Sequence, residues 1–451
     1  MAGVHTHSNG GRLCLQPQMS PSSSSARVWV GWGGYGVGAG RGRGRGRAAA
    51  GARRALKAMR FKRYKRASFQ LTDTFSMPLI SARAFCSCKG GCGKTTLMYN
   101  CACAHALRHP DHQVMMLDFS ETGDISTLAL GGFIGTAELG GKGKAMAEAY
   151  SSKGIATTDS MAAAAAASVA APSKRGNWLF DRTSAQASEF KMEGKLVDLH
   201  AVNPALPSNL FISVTSRDTA SNSAFDTPAK RLAVKQGLMQ FFDSDAGNWV
   251  IFIDTDGDRA FTPRTKMGLM LARCIAVPTE VNDNDARRME YFTEGMREMQ
   301  EAGEDVPPID VFILNKLNVV KWEAMNDDSK GITSPITPAK SAVSEIDRLS
   351  GQLAAAFCRD GQLSLLPRRF VFPDMTQAGR ISSSYGCPVV ALPDNLARLK
   401  RMAASESLDL SSFSVSPQLV QAVDELASFL ERATLRHDAS PHTPVKSDRG
   451  A

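Results

Sequence analysis

Nine consecutive residues, Cys88-Lys89-Gly90-Gly91-Cys92-Gly93-Lys94-Thr95-Thr96, constrain this chain more than any other part of it. Glycines let a backbone turn its N–H groups inward around phosphate oxygens, with no Cβ in the way. Lys94 then reaches the terminal phosphates, Thr95 ligates Mg²⁺, and a helix starting there points its positive end at the anion. Gly90, Gly91, Cys92, Gly93 and Thr96 complete this candidate nucleotide-phosphate site. One position departs from the ordinary phosphate loop: Cys88 stands where glycine is usual. The flanks agree with a strand–loop–helix unit. Ser81 to Cys88 suits the strand feeding the loop. Thr95 to Leu107 predicts a helix with Leu97, Cys101 and Ala104 on one face, ending near His109-Pro110.

Beyond about residue 78 the pattern alternates strand and helix, which predicts a mainly parallel α/β sheet flanked by helices. Val114-Met115-Met116-Leu117-Asp118 and Asn248-Trp249-Val250-Ile251-Phe252-Ile253-Asp254 are apolar runs that each end in a carboxylate. Further strands are expected at Cys274 to Val277, Val311 to Leu314 and Phe370 to Phe372. In such sheets ligands sit at the carboxyl ends of the strands, so these endings should gather around the phosphates. Asp254, followed by Thr255-Asp256-Gly257, is placed to hold Mg²⁺ opposite Thr95, and the glycine N–H to sense the γ-phosphate. Asn315 ends the Val311 to Leu314 strand with Lys316, and its position and type suit a base contact. The residue three further on is Asn318 rather than the aspartate of guanine-reading loops, which favours adenine. A closing helix, Ser416 to Ala433, carries Leu419, Val423, Leu426 and Leu430 on one stripe. Two stretches stand out: about 131–207, with few strand signals and the alanine run Ala162 to Ala167, read as an insertion or flexible loop on the core, and a second stretch of low order from about Asp327 to Ala342.

The form K-G-G-x-G-K-T-T resembles the deviant Walker A loop of the ParA/MinD family of P-loop ATPases. The resemblance runs through roughly residues 80–435 and rests on four segments. Asp254-Thr255-Asp256-Gly257 looks like the family's Walker B and switch II segment, with Asp256 in place of the first proline of Asp-Thr-Pro-Pro. Asp118-Phe119-Ser120-Glu121-Thr122-Gly123-Asp124 resembles its switch I, in which Asp118 matches the first aspartate and Ser120 replaces the second. Ser382-Ser383-Ser384-Tyr385-Gly386-Cys387-Pro388-Val389 resembles a late ParA segment, and Pro373 lies where relatives carry an adenine-side proline. The resemblance implies ATP and Mg²⁺ as cofactors and a homodimer formed around nucleotide. It gives Lys89 the task of crossing to the partner's nucleotide, and it makes Lys89, Lys94 and Asp118 the catalytic set. It implies partitioning or positioning of DNA or a large assembly, with an activating partner or cargo protein that the sequence does not name. Nonspecific DNA contact would use surface basics such as Arg287, Arg288 and Arg380. A hydroxyl at Ser120 supplies no negative charge to orient water, which keeps a second reading open: a nucleotide-dependent binding protein with little or no hydrolysis. A third reading puts the main activity in a nucleic-acid-binding tail.

Charge is distributed unevenly. Residues 1–72 hold fourteen Lys or Arg and no acid, against a net +9 for the whole chain, leaving −5 for the remainder. The serine run Ser22 to Ser25, the glycine-rich Gly31 to Gly46 and the Arg-Gly alternation from Arg41 predict that residues 1–77 are a disordered basic tail. Transit peptide, nucleic-acid tether and solvated extension all fit its composition. The location is accordingly cytoplasmic, or organellar (plastid or mitochondrial) if the tail is a transit peptide. The ATPase domain is expected over 78–435, with a flexible tail at 436–451. No apolar run approaches the ~20 residues of a membrane helix. Nine cysteines in no disulfide-framework spacing suit a reducing compartment. Five of them crowd the loop (Cys86, Cys88, Cys92, Cys101, Cys103), as small buried thiols or as a metal or redox site. The late Cys-x-x-Cys pair of iron–sulfur-building relatives does not occur.

Overall fold

A computed structural model of the chain describes residues 79–134, 143–152, 157–163, 196–215, 225–244, 248–258, 260–329, 331–358, 367–405 and 409–439. The predicted basic tail at 1–77 and the end of the chain after 439 lie outside these residues, as does most of the alanine run. In chain order the first elements are β1 (Leu79–Phe85), α1 (Lys94–Arg108), β2 (His112–Asp118), α2 (Asp124–Ala129), α3 (Gly143–Ser152), β3 (Val197–Asp198), α4 (Leu199–Val202) and β4 (Leu210–Ser213). Then come α5 (Pro228–Ser244), β5 (Asn248–Asp254), α6 (Pro263–Leu271), β6 (Cys274–Glu280), α7 (Asp283–Glu301) and β7 (Ile309–Leu317). The short strands β8 (Val319–Lys321), β9 (Ile332–Thr333) and β10 (Thr337–Pro338) precede α8 (Lys340–Cys358) and β11 (Arg368–Pro373). Three helices close the chain: α9 (Thr376–Tyr385), α10 (Leu392–Ser405) and α11 (Pro417–Ala439).

Nine strands form one sheet in the order β3-β4-β2-β5-β1-β6-β7-β11-β9. Its pairings are parallel except for the edge strand β3 against β4. From β1 the chain moves outward on one side through β2 and β4, returns to β5, then builds the other side through β6, β7 and β11. The strand order reverses around β1, and at such a switch point a crevice opens beyond the carboxyl ends.

Alternate residues of each strand face opposite sides of the sheet. On β5, Val250 and Phe252 join one core, with Val114, Met116, Ile313 and Phe372, under α1 and α11. Ile251 and Ile253 join the other, with Met115, Leu117, Phe312 and Leu314, against α6, α7 and α8. The expected stripe on the closing helix, Leu419, Val423, Leu426 and Leu430, is buried in the first core. Because these strands are covered on both faces, they read as continuous apolar runs in the sequence rather than alternating ones.

Asp327–Ala342, expected to carry little order, instead holds β9, β10 and the start of α8. Strands of two residues are too short to show a period, which explains the missing signal. Within the stretch read as an insertion, the described residues include α3, a helical turn at 158–163, β3 and α4. Cys274, Cys387 and all five cysteines near the loop are buried free thiols. Burial pushes Cys86, Cys88 and Cys101 up to about 12, so they are inert packing groups at neutral pH.

One buried ion pair crosses this sheet. Arg83 on β1 donates from Nη1 to both carboxylate oxygens of Asp310 on β7, at 2.7 and 2.6 Å, and from Nη2 to the Leu430 carbonyl of α11 at 2.7 Å. Both side chains are almost fully buried. Removing one member leaves the other charge stranded, which costs about 3–5 kcal/mol. Asp310→Ala should therefore lower the urea midpoint of unfolding by that equivalent, whereas Asp305→Ala, at an exposed carboxylate, should leave it nearly unchanged.

Candidate functional site

The loop between β1 and α1 turns at Gly93, whose φ of +92° lies in the left-handed region. A Cβ there would meet Asn315 Nδ2 at 2.4 Å, so only glycine fits. The reason for this close approach is structural: Asn315 at the end of β7 donates from Nδ2 to the Cys92 carbonyl at 2.8 Å. Asn315 therefore braces the loop, in addition to facing the cavity beside it. The Cys92 thiol is buried against Ser87 Oγ, 2.9 Å away. Lys94 opens α1 with its Nζ on the Lys89 carbonyl at 3.1 Å. Thr95 Oγ1 donates to Asp254 Oδ2 at 2.9 Å.

Gly93, Lys94, Thr95 and Asn315 border a cavity of about 980 Å³. One wall is the loop, from Gly90 and Gly91 to Thr95 and Thr96. Another is the segment after β2, with Ser120, Glu121 and Asp124. A third is Thr255 to Asp258, and a fourth is Asp374, Met375 and Arg380, with Lys316 at the rim of the loop. Pro373 is the last residue of β11, one position before this wall.

Three carboxylates gather here. Asp118 is fully buried and saturated: Oδ1 accepts from the Ser120 N–H at 3.0 Å and Ser120 Oγ at 2.6 Å, and Oδ2 from the N–H and hydroxyl of Ser126. Burial raises its pKa while these four donors oppose the rise. It organises the segment after β2. Asp254 is also fully buried, and its pKa is raised well above the usual range by burial and by neighbouring Asp118. Its Oδ2 holds Thr95, but Oδ1 has no hydrogen-bond partner among the described residues. An orphaned buried carboxylate oxygen beside a threonine hydroxyl fits a hard divalent cation, and Mg²⁺ takes oxygen donors of this kind. Asp256 accepts the Glu121 N–H at 2.8 Å and is pushed up to about 6, chiefly by burial.

Lys89 does not project freely. Its Nζ lies 2.5 Å from Glu280 Oε2 and 3.0 Å from Asp285 Oδ1. Burial works against its ammonium, but these two contacts outweigh that and raise its pKa. The other oxygen of Glu280 holds Lys316, which also donates to the Gly91 carbonyl, both at 2.6 Å. Glu280 thus clips two lysines to the rim of the loop.

Sequence reasoning passed over several of these groups. Glu280 ends β6 in the same manner as Asp118 and Asp254 end their strands, so the strand-end rule would have found it. Arg264 gives no such signal. It is buried, donating to Asp159 Oδ2 at 2.7 Å and to Thr215 Oγ1 at 3.2 Å, and Thr215 in turn donates to the Ser120 carbonyl at 2.6 Å. This chain of contacts braces the Ser120 segment from behind. Of the basics suggested for DNA, Arg287 and Arg288 lie on α7, whereas Arg380 lines the cavity.

No family model matches the sequence, and no curated protein matches it either. Solved structures do. A ParA family ATPase from Chlorobium tepidum TLS is similar over 78% of this chain and 99% of its own, at 15% identity and a TM-score of 0.42. MinD from Pyrococcus horikoshii OT3, the septum site-determining protein complexed with Mg-ADP, is similar over 80% of this chain and 98% of its own, at 15% identity and a TM-score of 0.41. Cyanothece McdA, in an ATP complex, is similar over 73% of this chain and 97% of its own, at 12% identity and a TM-score of 0.41. Among the described residues no helix is long and apolar enough to cross a membrane.

Gly257 offers a test of the cavity. A Cβ there would stand 2.7 Å from both the Lys89 carbonyl and Lys94 Nζ. Should the cavity take ATP, Gly257→Ala would weaken its binding at least about tenfold by calorimetry, or roughly 1.4 kcal/mol, with the far-UV circular dichroism unaltered.

Proposed function

We propose that this chain is a Mg-ATP-binding ATPase of the ParA/MinD kind that switches between monomer and homodimer with its nucleotide. The observation that carries the reading is Asp254 Oδ1, a buried unpartnered oxygen next to Thr95, at the mouth of a glycine-turned loop. Loop N–H groups and Lys94 would hold the phosphates, and Thr95 with Asp254 would hold Mg²⁺. Bound there, Mg²⁺ would neutralise charge developing on the phosphate oxygens. Asn315, Asp374 and Met375 also line the cavity, and the base would contact them. For Lys89 to reach a partner's nucleotide it must first leave Glu280 and Asp285. Nucleotide and partner together would supply the replacement charge. Dimerisation would then set avidity for cargo.

Ser120 favours the alternative of binding without turnover. Its hydroxyl is occupied by Asp118 and by the Gly123 N–H, which donates to it at 3.1 Å. Asp256 argues for hydrolysis. It lines the cavity next to Gly257, and its contact with the Glu121 N–H joins the two segments that face the γ-phosphate position. A carboxylate here supplies the negative charge that Ser120 lacks to orient a water. The motif resemblance is what supports a partitioning or positioning role. Nonspecific DNA is the cargo surface proposed, with Arg287 and Arg288 as contacts.

The reading is tested with labelled ATP and magnesium. Saturable uptake is expected, with an ATP-dependent shift to dimer mass in light scattering, and Lys94→Ala should abolish both. Phosphate release no greater than that of Lys94→Ala, with dimerisation intact, would leave only the binding protein. Asp256→Asn should lower turnover about 10²-fold, the scale of a positioned proton acceptor, while ATP still binds.

A further inference from the structure

Far from the phosphate loop, at the other end of α1, three histidines and a glutamate converge. We infer that His105, His109 and Glu431 form a binding site for a divalent transition-metal ion of the zinc class, distinct from the Mg²⁺ position at Thr95 and Asp254. One ligand atom from each of the three residues lies within 4.8 Å of the other two. Zn–N bonds of about 2.0–2.1 Å in a tetrahedron put ligand atoms roughly 3.3 Å apart. Small ring rotations close that difference. His109 Nε2 is already 3.2 Å from the Glu431 carboxylate.

The turn that carries the rings is rigid. The His109 N–H donates to the His105 carbonyl at 3.0 Å, and the His112 N–H to the His109 carbonyl at 3.0 Å. Asn209 Nδ2 spans the same turn, reaching the carbonyls of Ala106, His109 and His112 at 3.1, 3.0 and 2.9 Å. The backbone therefore presents its imidazoles in one place before any ion arrives. His112 Nδ1 lies 3.0 Å from His105 Nε2, the kind of outer contact that orients a ligating ring. The rings of His109 and His112 stack with centroids 4.7 Å apart.

Beside the cluster is a cavity of about 50 Å³ bordered by His105, His112 and Glu431 and otherwise by Ser81, Arg83 and apolar side chains. Arg108 contends for Glu431, at 3.5 Å, and Asp424 holds it from the other side at 3.3 Å. Arg83 also borders this cavity but is committed to Asp310 and the Leu430 carbonyl. Two imidazoles and a carboxylate suit zinc, cobalt or nickel over magnesium, which prefers oxygen donors and keeps its waters. An ion here would tie the end of α1, the entry to β2 and α11 together.

The full chain, stripped with chelator, is titrated with Co²⁺, whose visible absorption reports tetrahedral nitrogen coordination, and with Zn²⁺ in competition. A saturable cobalt spectrum displaced by zinc and not by magnesium is expected. His109→Ala, at a half-exposed ring, and Glu431→Gln should each weaken zinc binding at least about tenfold, and His112→Ala about 10- to 100-fold. Lys94→Ala should leave it unchanged. Zinc affinity unaltered in both His109→Ala and Glu431→Gln, with circular dichroism matching the parent, would overturn the site, whatever other residues of the chain bind. Loss in Asp111→Asn with retention in Glu431→Gln would also overturn it, because His109, Asp111 and His112 form the neighbouring group.

Discussion

The parallel register of three central strands is the constraint on which the site depends. Phe85 at the end of β1 pairs with Asp254 on β5, and Asp254 pairs with Asp118 on β2. One ladder of backbone hydrogen bonds therefore brings the loop after β1 and two carboxylates to the same edge of the sheet. A slip of one residue would turn Asp254 toward the opposite face and Ile253 into the cavity. The double-sided burial of these strands prevents that slip, because each face presents a full set of apolar contacts. Packing energy is thus what holds two buried carboxylates side by side against their mutual repulsion.

The site's acidity follows from this arrangement. Asp118 answers its burial with four donors, all from residues within eight positions of it, and so becomes a fixed scaffold. Asp254 is answered on one oxygen only. Thr95 cannot satisfy both, and Lys94 Nζ rests on a loop carbonyl. The imbalance is a demand for positive charge that the protein itself does not meet. Lys89 and Lys316 sit close by, yet Glu280 and Asp285 neutralise them at the rim. The cationic groups of the loop are held at the rim while Asp254 remains partnered on one oxygen only.

Much of this was legible in the sequence because strand ends are local signals. An apolar run closing on Asp or Asn announces its own place at the edge of a parallel sheet, and Asp118, Asp254 and Asn315 all read that way. The glycine loop was readable for the same reason. What escaped were contacts between residues far apart in the chain whose local context is bland. Arg264 meets Asp159 across 105 positions, and Lys89 meets Glu280 across 191. The short strands β9 and β10 escaped because two residues cannot display a period. The part played by Asn315 was only half visible: its type suggested a base contact, while its bond to the Cys92 carbonyl depends on how closely β7 packs behind the loop.

The histidine cluster combines both situations. His105, His109 and His112 are near neighbours in sequence, at the junction of a helix and a strand, and the run His109-Pro110 reads simply as a helix stop. Glu431 arrives from 322 positions away on the last helix. That helix packs on α1 through its own apolar stripe, so the stripe that completes the core also delivers the carboxylate. α1 thereby has a phosphate loop at its first turn and an imidazole cluster at its last, roughly 20 Å apart at 1.5 Å per residue. Were both ends to bind ions as proposed, α1 would transmit position between them without needing to change shape. Tightening the far end by a metal would fix the seat of α1 against α11, and with it the backbone from which Lys94 and Thr95 project.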